Sequence, residues 1–165
     1  MTGGPPSWVY KRFANPLLRT LVLRAGLGRR GDQNVMRVLR VRGRRTGRLY
    51  DVPVRMSTWN DKRYVVSLLS GGDAQWARNL RAAGTAHLLV GATVEPVVAH
   101  EIQAEEKSEF LTWYCQQPAH RTNVRSGLGA DPSNVTPAEI DLMARQHAVF
   151  YLEPAETADR SRPAG

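Results

Sequence analysis

Two short stretches of the chain carry residue types that could hold or transform a ligand. The first is residues 43–48, here called the arginine turn, which contain two glycines, three arginines and a threonine. Glycine lets a backbone approach a ligand closely, and exposed amides beside arginine forks match the oxygens of phosphate and carboxylate groups. The turn taken alone is weak evidence, because basic turns between strands are common on solvated surfaces.

The second stretch begins at Ser70-Gly71-Gly72 and continues into a helix predicted to start at Asp73, a residue type that caps helices. A glycine break before a helix start offers free backbone amides to a ligand. Trp76 and Asn79 are three residues apart and therefore share one face of this helix. The plainer alternative is a strand-to-helix connection with a core tryptophan, and the pattern alone favours it at least as much.

Several common kinds of active site are missing from the sequence. No Gly-x-Gly-x-x-Gly follows a predicted strand, and there is no Gly-Lys-Ser/Thr loop, Gly-x-Ser-x-Gly elbow or Cys/His zinc cluster. These absences disfavour an ATPase, a hydrolase and a zinc enzyme. Cys115 is the one cysteine, and its position on the apolar side of a helix predicts a small buried hydrophobe. A single cysteine, no signal-peptide pattern and no membrane-length apolar run predict a cytoplasmic protein.

Positive charge is concentrated in the first part of the chain. Residues 1–63 contain 15 lysines and arginines against three acidic residues, whereas residues 64–165 contain eight against 12, which gives the net charge of +8. Arginine binds phosphate and carboxylate oxygens in pairs, so this pattern favours an anionic partner. Nucleic acid, an anionic membrane surface and a phosphorylated cofactor all fit, and so does a solvated basic face.

Periodicity and turn residues predict one α+β domain. Strands are predicted at 35–42, 51–57, 63–69, 85–90, 94–102 and 148–152, and helices at 15–25, 73–83, 104–116 and 136–147. Thr136-Pro137-Ala138-Glu139 has the pattern of a capping box with proline in the first turn, and Pro53 inside a strand indicates an edge or a bulge. Six strands joined mostly by short turns predict a small, mostly antiparallel barrel with flanking helices.

The predicted domain spans residues 15–154, with a flexible or amphipathic segment at 1–14 and a disordered tail at 155–165. Residues 8–13 in the first segment combine apolar and aromatic residues with Lys11 and Arg12. Such a segment fits packing against the domain, and it also fits peripheral contact with an acidic membrane.

Six motifs occur in an order that is more specific than any one of them. They are Val38-Leu39-Arg40-Val41-Arg42-Gly43-Arg44-Arg45-Thr46-Gly47, Val52-Pro53-Val54, Tyr64-Val65-Val66-Ser67, Ser70-Gly71-Gly72, Trp76-Ala77-Arg78-Asn79-Leu80-Arg81 and Phe150-Tyr151-Leu152-Glu153-Pro154. In this order the chain resembles the deazaflavin-dependent nitroreductase family, small split β-barrels that use coenzyme F420. The similarity covers roughly residues 35–154.

The resemblance implies which residues bind the cofactor. It assigns the cofactor's phosphate and acidic tail to Arg44, Arg45 and Thr46, and the deazaflavin ring to Asp51, Val52, Pro53 and Val54. It completes the pocket with Ser67, Leu68, Leu69, Ser70, Trp76, Ala77, Arg78 and Asn79. Many family members have Pro-Arg just after the turn, where this chain has Leu49-Tyr50, so Arg48 or Arg55 would supply that charge.

The chain departs from the best-known nitroreductase branch after the helix that ends near Gln116. That branch has several tyrosines there, whereas this chain reads Gln117-Pro118-Ala119-His120. His120 aligns with a functional tyrosine and is predicted to be a proton donor or hydrogen-bond partner of the acceptor, with Tyr114 as the second candidate. The plainer alternative for His120 is an exposed loop histidine, and residues 121–136 have no counterpart.

The implied activity is hydride transfer from reduced deazaflavin to a small, hydrophobic, electron-poor acceptor such as a quinone, a nitroaromatic or an activated alkene. The alternatives are a split barrel that uses FMN, one that binds a ligand without turnover, and a basic nucleic-acid-binding barrel. The last is disfavoured because residues 35–48 contain no aromatic side chain on which bases could stack. A homodimer is expected from the family, and no metal is expected.

Overall fold

Six antiparallel strands close into a barrel in the computed structural model, which describes residues 35–68 and 74–156. The strands are β1 (Val35–Arg42), β2 (Leu49–Trp59), β3 (Lys62–Val66), β4 (Thr85–Val90), β5 (Thr93–Glu101) and β6 (Val149–Pro154). They are hydrogen-bonded in the order β1-β2-β3-β6-β5-β4, and β4 pairs with β1 to complete the ring. The predicted α+β barrel is confirmed.

The helices occupy the connections between these strands. They are α1 (Gln75–Ala83), α2 (Ala104–Gln116), α3 (Arg121–Asn123) and α4 (Pro137–Gln146), with a 3₁₀ turn at Pro118–His120 and a π-helix at Val124–Leu128. No helix in the described part of the chain is long and apolar enough to cross a membrane. The predicted helix at 15–25, the segment at 1–14 and the tail beyond residue 156 lie outside the described residues.

Several boundary predictions are wrong, and β2 in particular is longer than the predicted 51–57, because it runs from Leu49 to Trp59. Ala74, not Asp73, is the N-cap residue of α1, and no side chain caps that helix; Asp73 itself lies outside the described residues. β3 ends at Val66 rather than at residue 69. Ser67 stays opposite Ala148 in the β3–β6 register, and its amide donates to the Ala148 carbonyl at 2.9 Å. The strand ends because the Ala148 amide donates to the Ser67 hydroxyl, at 2.9 Å, rather than to the Ser67 carbonyl.

One apolar core fills the barrel, because alternate side chains of every strand point inward. On β1 these are Val35, Leu39 and Val41, and they pack with inward residues of the other strands. The rest of this core is Val54, Met56, Val65, Ala86, Leu88, Val97, Phe150 and Leu152 from the strands, together with Ala74, Ala77, Leu80 and Ala148. Helix α1 therefore closes one end of the barrel.

A second core lies outside the barrel, where α2 and α4 cover β3 and β6. Tyr64 of β3 points outward and stacks on Phe110 of α2 with 4.8 Å between the ring centroids. The other buried members are Val66, Ile102, Leu111, Tyr114, Cys115, Val124, Leu128, Ala130, Ile140, Met143 and Val149. Cys115 is buried in this layer, as predicted from its place on the apolar side of the helix. Burial raises the pKa of its thiol to about 11.

The predicted capping box starts α4. The Thr136 hydroxyl accepts from the Glu139 amide at 3.3 Å, while the Thr136 amide and hydroxyl each donate to the Glu139 carboxylate at 2.8 Å. These donors hold the pKa of Glu139 below its ordinary value. The box therefore fixes the first turn of the helix that covers the outer core.

Replacing Thr136 with alanine is expected to lower the free energy of unfolding by about 1 kcal/mol, because the capping hydroxyl is lost. Thr112→Ala is the matched control, since the Thr112 hydroxyl donates within α2 to the Ser108 carbonyl and alanine favours an exposed helix interior. Urea denaturation of both variants measures the difference. A Thr136→Ala protein as stable as wild type would contradict the role of the box.

Candidate active site

The middle of β2 is paired on one side only. Residues 49–56 pair with β1, but the pairing of β2 with β3 runs only from Met56 to Trp59. Within residues 35–68 and 74–156, no strand covers the β3 side of residues 49–55, here called the β2 open edge. Pro53 lies in this stretch, as the prediction of an edge strand requires. Backbone groups on an uncovered edge are available to a ligand.

The arginine turn lies at one end of this edge and is closed by its own backbone. The Gly43 amide donates to the Arg48 carbonyl, and the Gly47 amide donates to the Gly43 carbonyl, both at 2.8 Å. A Cβ on Gly43 would lie 2.5 Å from the Tyr50 ring, so glycine lets that ring lie against the turn. The Tyr50 and Thr46 hydroxyls are 2.9 Å apart.

The turn also contacts α1, so the two sequence motifs meet in space. The side-chain oxygen of Asn79 accepts from the Arg44 amide at 3.2 Å and from the Arg44 guanidinium at 3.1 Å. The same guanidinium donates to the Gln75 side chain at 2.9 Å. Arg45 and Arg48 are exposed, and in the described part of the chain no side chain or carbonyl accepts from either guanidinium. The turn thus presents two cations to an external anion.

Several other predicted pocket residues point away from this surface. Ala77 has no exposed surface and lies in the barrel core, and Trp76 packs against that core. Ser67 is equally buried, with its carbonyl accepting from His147 at 2.6 Å. Arg78 is half-buried, Leu68 packs against Gly127 of the π-helix, and Leu69 and Ser70 lie outside the described residues. Ala77, Trp76 and Ser67 therefore belong to the packed interior rather than to a ligand-facing surface.

Alternation along β2 divides the four residues assigned to the cofactor ring. Val52 and Val54 point into the barrel core, whereas Asp51 and Pro53 point outward. The Asp51 carboxylate accepts two hydrogen bonds from Arg40 on β1, at 2.6 and 2.9 Å. Its charge is therefore matched within the sheet, and Asp51 anchors β1 to β2 beside the open edge.

His120 lies beyond the other end of the open edge and is completely buried. Its Nδ1 is 3.1 Å from the Tyr114 carbonyl, which can only accept, so Nδ1 carries a hydrogen. Its Nε2 is 3.3 Å from the hydroxyl of Ser57, an outward residue of β2. The ring stacks on Tyr114 with 3.9 Å between centroids. The alternative of an exposed loop histidine is wrong, because α2 and the 3₁₀ turn enclose the ring.

Comparison with known proteins now identifies the family. A sequence model of the F420H(2)-dependent quinone reductase family matches residues 17–129, more than half of the chain. The chain belongs to this family. The protein is therefore an oxidoreductase, and the resemblance to F420-dependent reductases is confirmed.

Solved structures are similar to this reductase only at low sequence identity. One, described as the structure of an F420-H2 dependent reductase (FDR-A), is 22% identical, with a TM-score of 0.47 and coverage of 72% of this chain and 93% of its own. Another, described as a domain-swapped dimer, is 21% identical, with the same TM-score and coverage of 91% and 100%. Alignments at this level carry no argument about function or assembly. No curated protein matches the sequence.

Arg55 and Ser57 share the outward face of β2, and Ser57 contacts His120. The sequence resemblance predicts Arg55 only as a substitute for an arginine of the turn. Seven residues of extended strand separate it from Arg48, which is about 23 Å, so the two cannot serve one phosphate. The signal that could have found both residues is the period of two along β2, since Val54 and Met56 point inward. Their neighbours must then point to the side where His120 lies.

Tyr114 is held in the outer core by a hydrogen bond and by burial. Its hydroxyl accepts from the Asn123 side-chain amide at 3.1 Å. Burial raises the pKa of the phenol to about 12, against the smaller opposing effects of the Asn123 hydrogen bond and the positive charge of Arg55. The phenol is therefore protonated at neutral pH and available only as a neutral hydrogen-bonding group.

Because the folded state holds the Tyr114 proton more tightly than the unfolded chain does, stability is complete below pH 10 and is lost as the pH rises toward 12. Tyr114→Phe is expected to lose about 1 kcal/mol at pH 7, since Asn123 loses its acceptor. Between pH 10 and pH 11.5, the free energy of unfolding of this variant should fall less than that of wild type. Urea unfolding across this range tests the expectation, with exposed Tyr50→Phe as control, and parallel curves for Tyr114→Phe and wild type would refute it.

Proposed function

We propose that this reductase transfers a hydride from reduced coenzyme F420 to an electron-poor acceptor such as a quinone, a nitroaromatic or an activated alkene. The observation that carries the proposal is the joining of an exposed arginine turn to an open strand edge. The family match supports the use of F420. The acceptor is the finer part of the proposal, and the homodimer stays a prediction.

The chemistry of the arginine turn fits a phosphorylated, acidic cofactor. Arg45 and Arg48 have guanidinium groups without a protein acceptor in the described region, and the backbone at Gly43 leaves no room for a side chain. Arg44 has a different role, because Asn79 and Gln75 hold it against α1. Arg45, Arg48 and Thr46 would therefore bind the phosphate and acidic tail, while Arg44 fixes the turn.

The β2 open edge fits the flat part of the same cofactor. Backbone groups on the side of this strand that no described strand pairs with can hydrogen-bond a ring with polar edges, and the outward side chain of Pro53 offers an apolar surface. Bound reduced F420 supplies a hydride. The protein's part is to hold the acceptor near that edge and to place hydrogen-bonding groups beside it.

The arginine turn gives the first test of this function. Each charge-assisted contact contributes on the order of 1.5–3 kcal/mol, so Arg45→Ala with Arg48→Ala is expected to weaken F420 binding at least about tenfold, and more at low salt. Arg145→Ala is the control, because Arg145 is exposed on α4 without a polar partner in the described chain. Fluorescence titration measures the affinity.

The same titration separates the alternative functions. Wild type is expected to bind F420 and to bind FMN and single-stranded DNA poorly. Tight FMN binding without F420 binding would indicate an FMN-dependent enzyme instead. Tight DNA binding alone would indicate a nucleic-acid-binding protein. Unchanged F420 affinity in a folded double variant would remove the turn from the cofactor site.

We further propose that the acceptor's proton comes through His120. Its Nδ1 hydrogen is held by the Tyr114 carbonyl, so only Nε2, which contacts Ser57, is directed toward β2. Donation from Nε2 requires the doubly protonated ring, which makes turnover fall as the pH rises through the titration of histidine. Tyr114 contributes the stacked ring that orients the imidazole.

His120→Ala is expected to lower turnover by about 100-fold and to remove this pH dependence, with F420 affinity little changed. Ser57→Ala is the second variant, because it removes the Nε2 contact and leaves the ring stacked on Tyr114. A purely structural role predicts a lower melting temperature with the wild-type pH profile intact. If both variants keep the wild-type turnover and profile, the proton has another source.

A further inference from the structure

Arg55 is a cation of the site that the described protein does not neutralise. Its side chain is half-buried, and in residues 35–68 and 74–156 no carboxylate or carbonyl accepts from its guanidinium. Other arginines of the sheet are matched: Arg40 binds Asp51, and Arg63 donates two hydrogen bonds to Glu95 at 2.8 and 2.9 Å. Arg55 thus differs from these two sheet arginines, which each bind a carboxylate on a neighbouring strand.

The position of Arg55 connects this charge to the acceptor end of the site. It is the last residue of the β2 open edge, and its side chain is on the same strand face as Ser57, the partner of His120. Its positive charge lowers the pKa of the Tyr114 phenol, against the larger effect of burial. Trp59 follows on this face, with 6.2 Å between its ring and that of Trp113. The outward face of this part of β2 therefore carries a cation at Arg55 and an aromatic ring at Trp59.

A half-buried cation without a counter-ion loses solvation that nothing in the described protein restores. A carboxylate replaces the lost water contacts of a planar guanidinium best, because it accepts two parallel hydrogen bonds from it. The acidic tail of the cofactor does not fit this role, because the arginine turn lies about 23 Å away along the strand. An acid on the acceptor is a ligand group that matches this guanidinium.

We propose that the electron acceptor carries a carboxylate, which Arg55 binds so that the reducible group lies beside the His120 end of β2. The inference rests on the proposed function and names the substrate class within it. The carboxylate takes no part in the redox step. The acceptor still gains one hydride from the cofactor and one proton, and the acid leaves unchanged.

The test compares a quinone carboxylate with its methyl ester, which has the same ring without the charge. Wild type is expected to show a kcat/KM at least about tenfold higher for the acid, as a charge-assisted pair implies. Arg55→Met should lose this preference by losing activity toward the acid alone, Arg55→Lys should keep part of it, and Arg145→Met should keep all of it.

Binding without turnover gives a second measurement. Quenching of tryptophan fluorescence by acid and ester, in protein without cofactor, should show the same Arg55-dependent preference. An unchanged preference in Arg55→Met would overturn the inference, and so would an equal loss for both quinones or a parallel loss of F420 affinity. If wild type reduces neither quinone, the proposed function fails, and the fluorescence comparison still decides the role of Arg55.

Discussion

The length mismatch between β2 and its neighbours is the constraint on which the site depends. β2 has 11 residues and β1 has eight, so their ladder is long, whereas β3 has only five. β3 ends at Val66 because the Ala148 amide donates to the Ser67 hydroxyl and not to the Ser67 carbonyl, which lies 2.6 Å from His147 Nδ1 instead. Within residues 35–68 and 74–156, β3 therefore pairs with β2 only along Met56–Trp59, and no strand pairs with the same side of residues 49–55.

Two separate cores fix the two ends of this edge. The barrel core holds α1, and α1 holds the arginine turn through the contacts of Asn79 and Gln75 with Arg44. The outer core holds α2, and α2 holds His120 through the stacked ring and carbonyl of Tyr114. β2 belongs to both environments, because its inward residues enter one core and Ser57 meets the other. Packing in either core thus sets the geometry at one end of the site.

Local features of this fold could be predicted from the sequence because their causes are local. Alternation gives β1 its boundaries, Asn60 and Asp61 adopt positive φ in the tight turn before β3, and the Thr136 box starts α4. The burial of His120 could not be predicted, because it depends on a contact between residues 63 positions apart in the chain. The end of β3 depends on Ala148, which lies beyond two further strands and four further helices in the chain.

Strand pairing also changes what the basic composition means. The excess of arginine in the first 63 residues suggested one anionic partner, but the sheet divides these arginines into matched and unmatched groups. Arg40 and Arg63 bind Asp51 and Glu95, which are distant in sequence, and so contribute cohesion to the barrel. Arg45, Arg48 and Arg55 have no carboxylate partner among the described residues. Two of these described arginines lie in the turn and one lies about 23 Å along β2, so two separate anionic groups match them better than a single anion does.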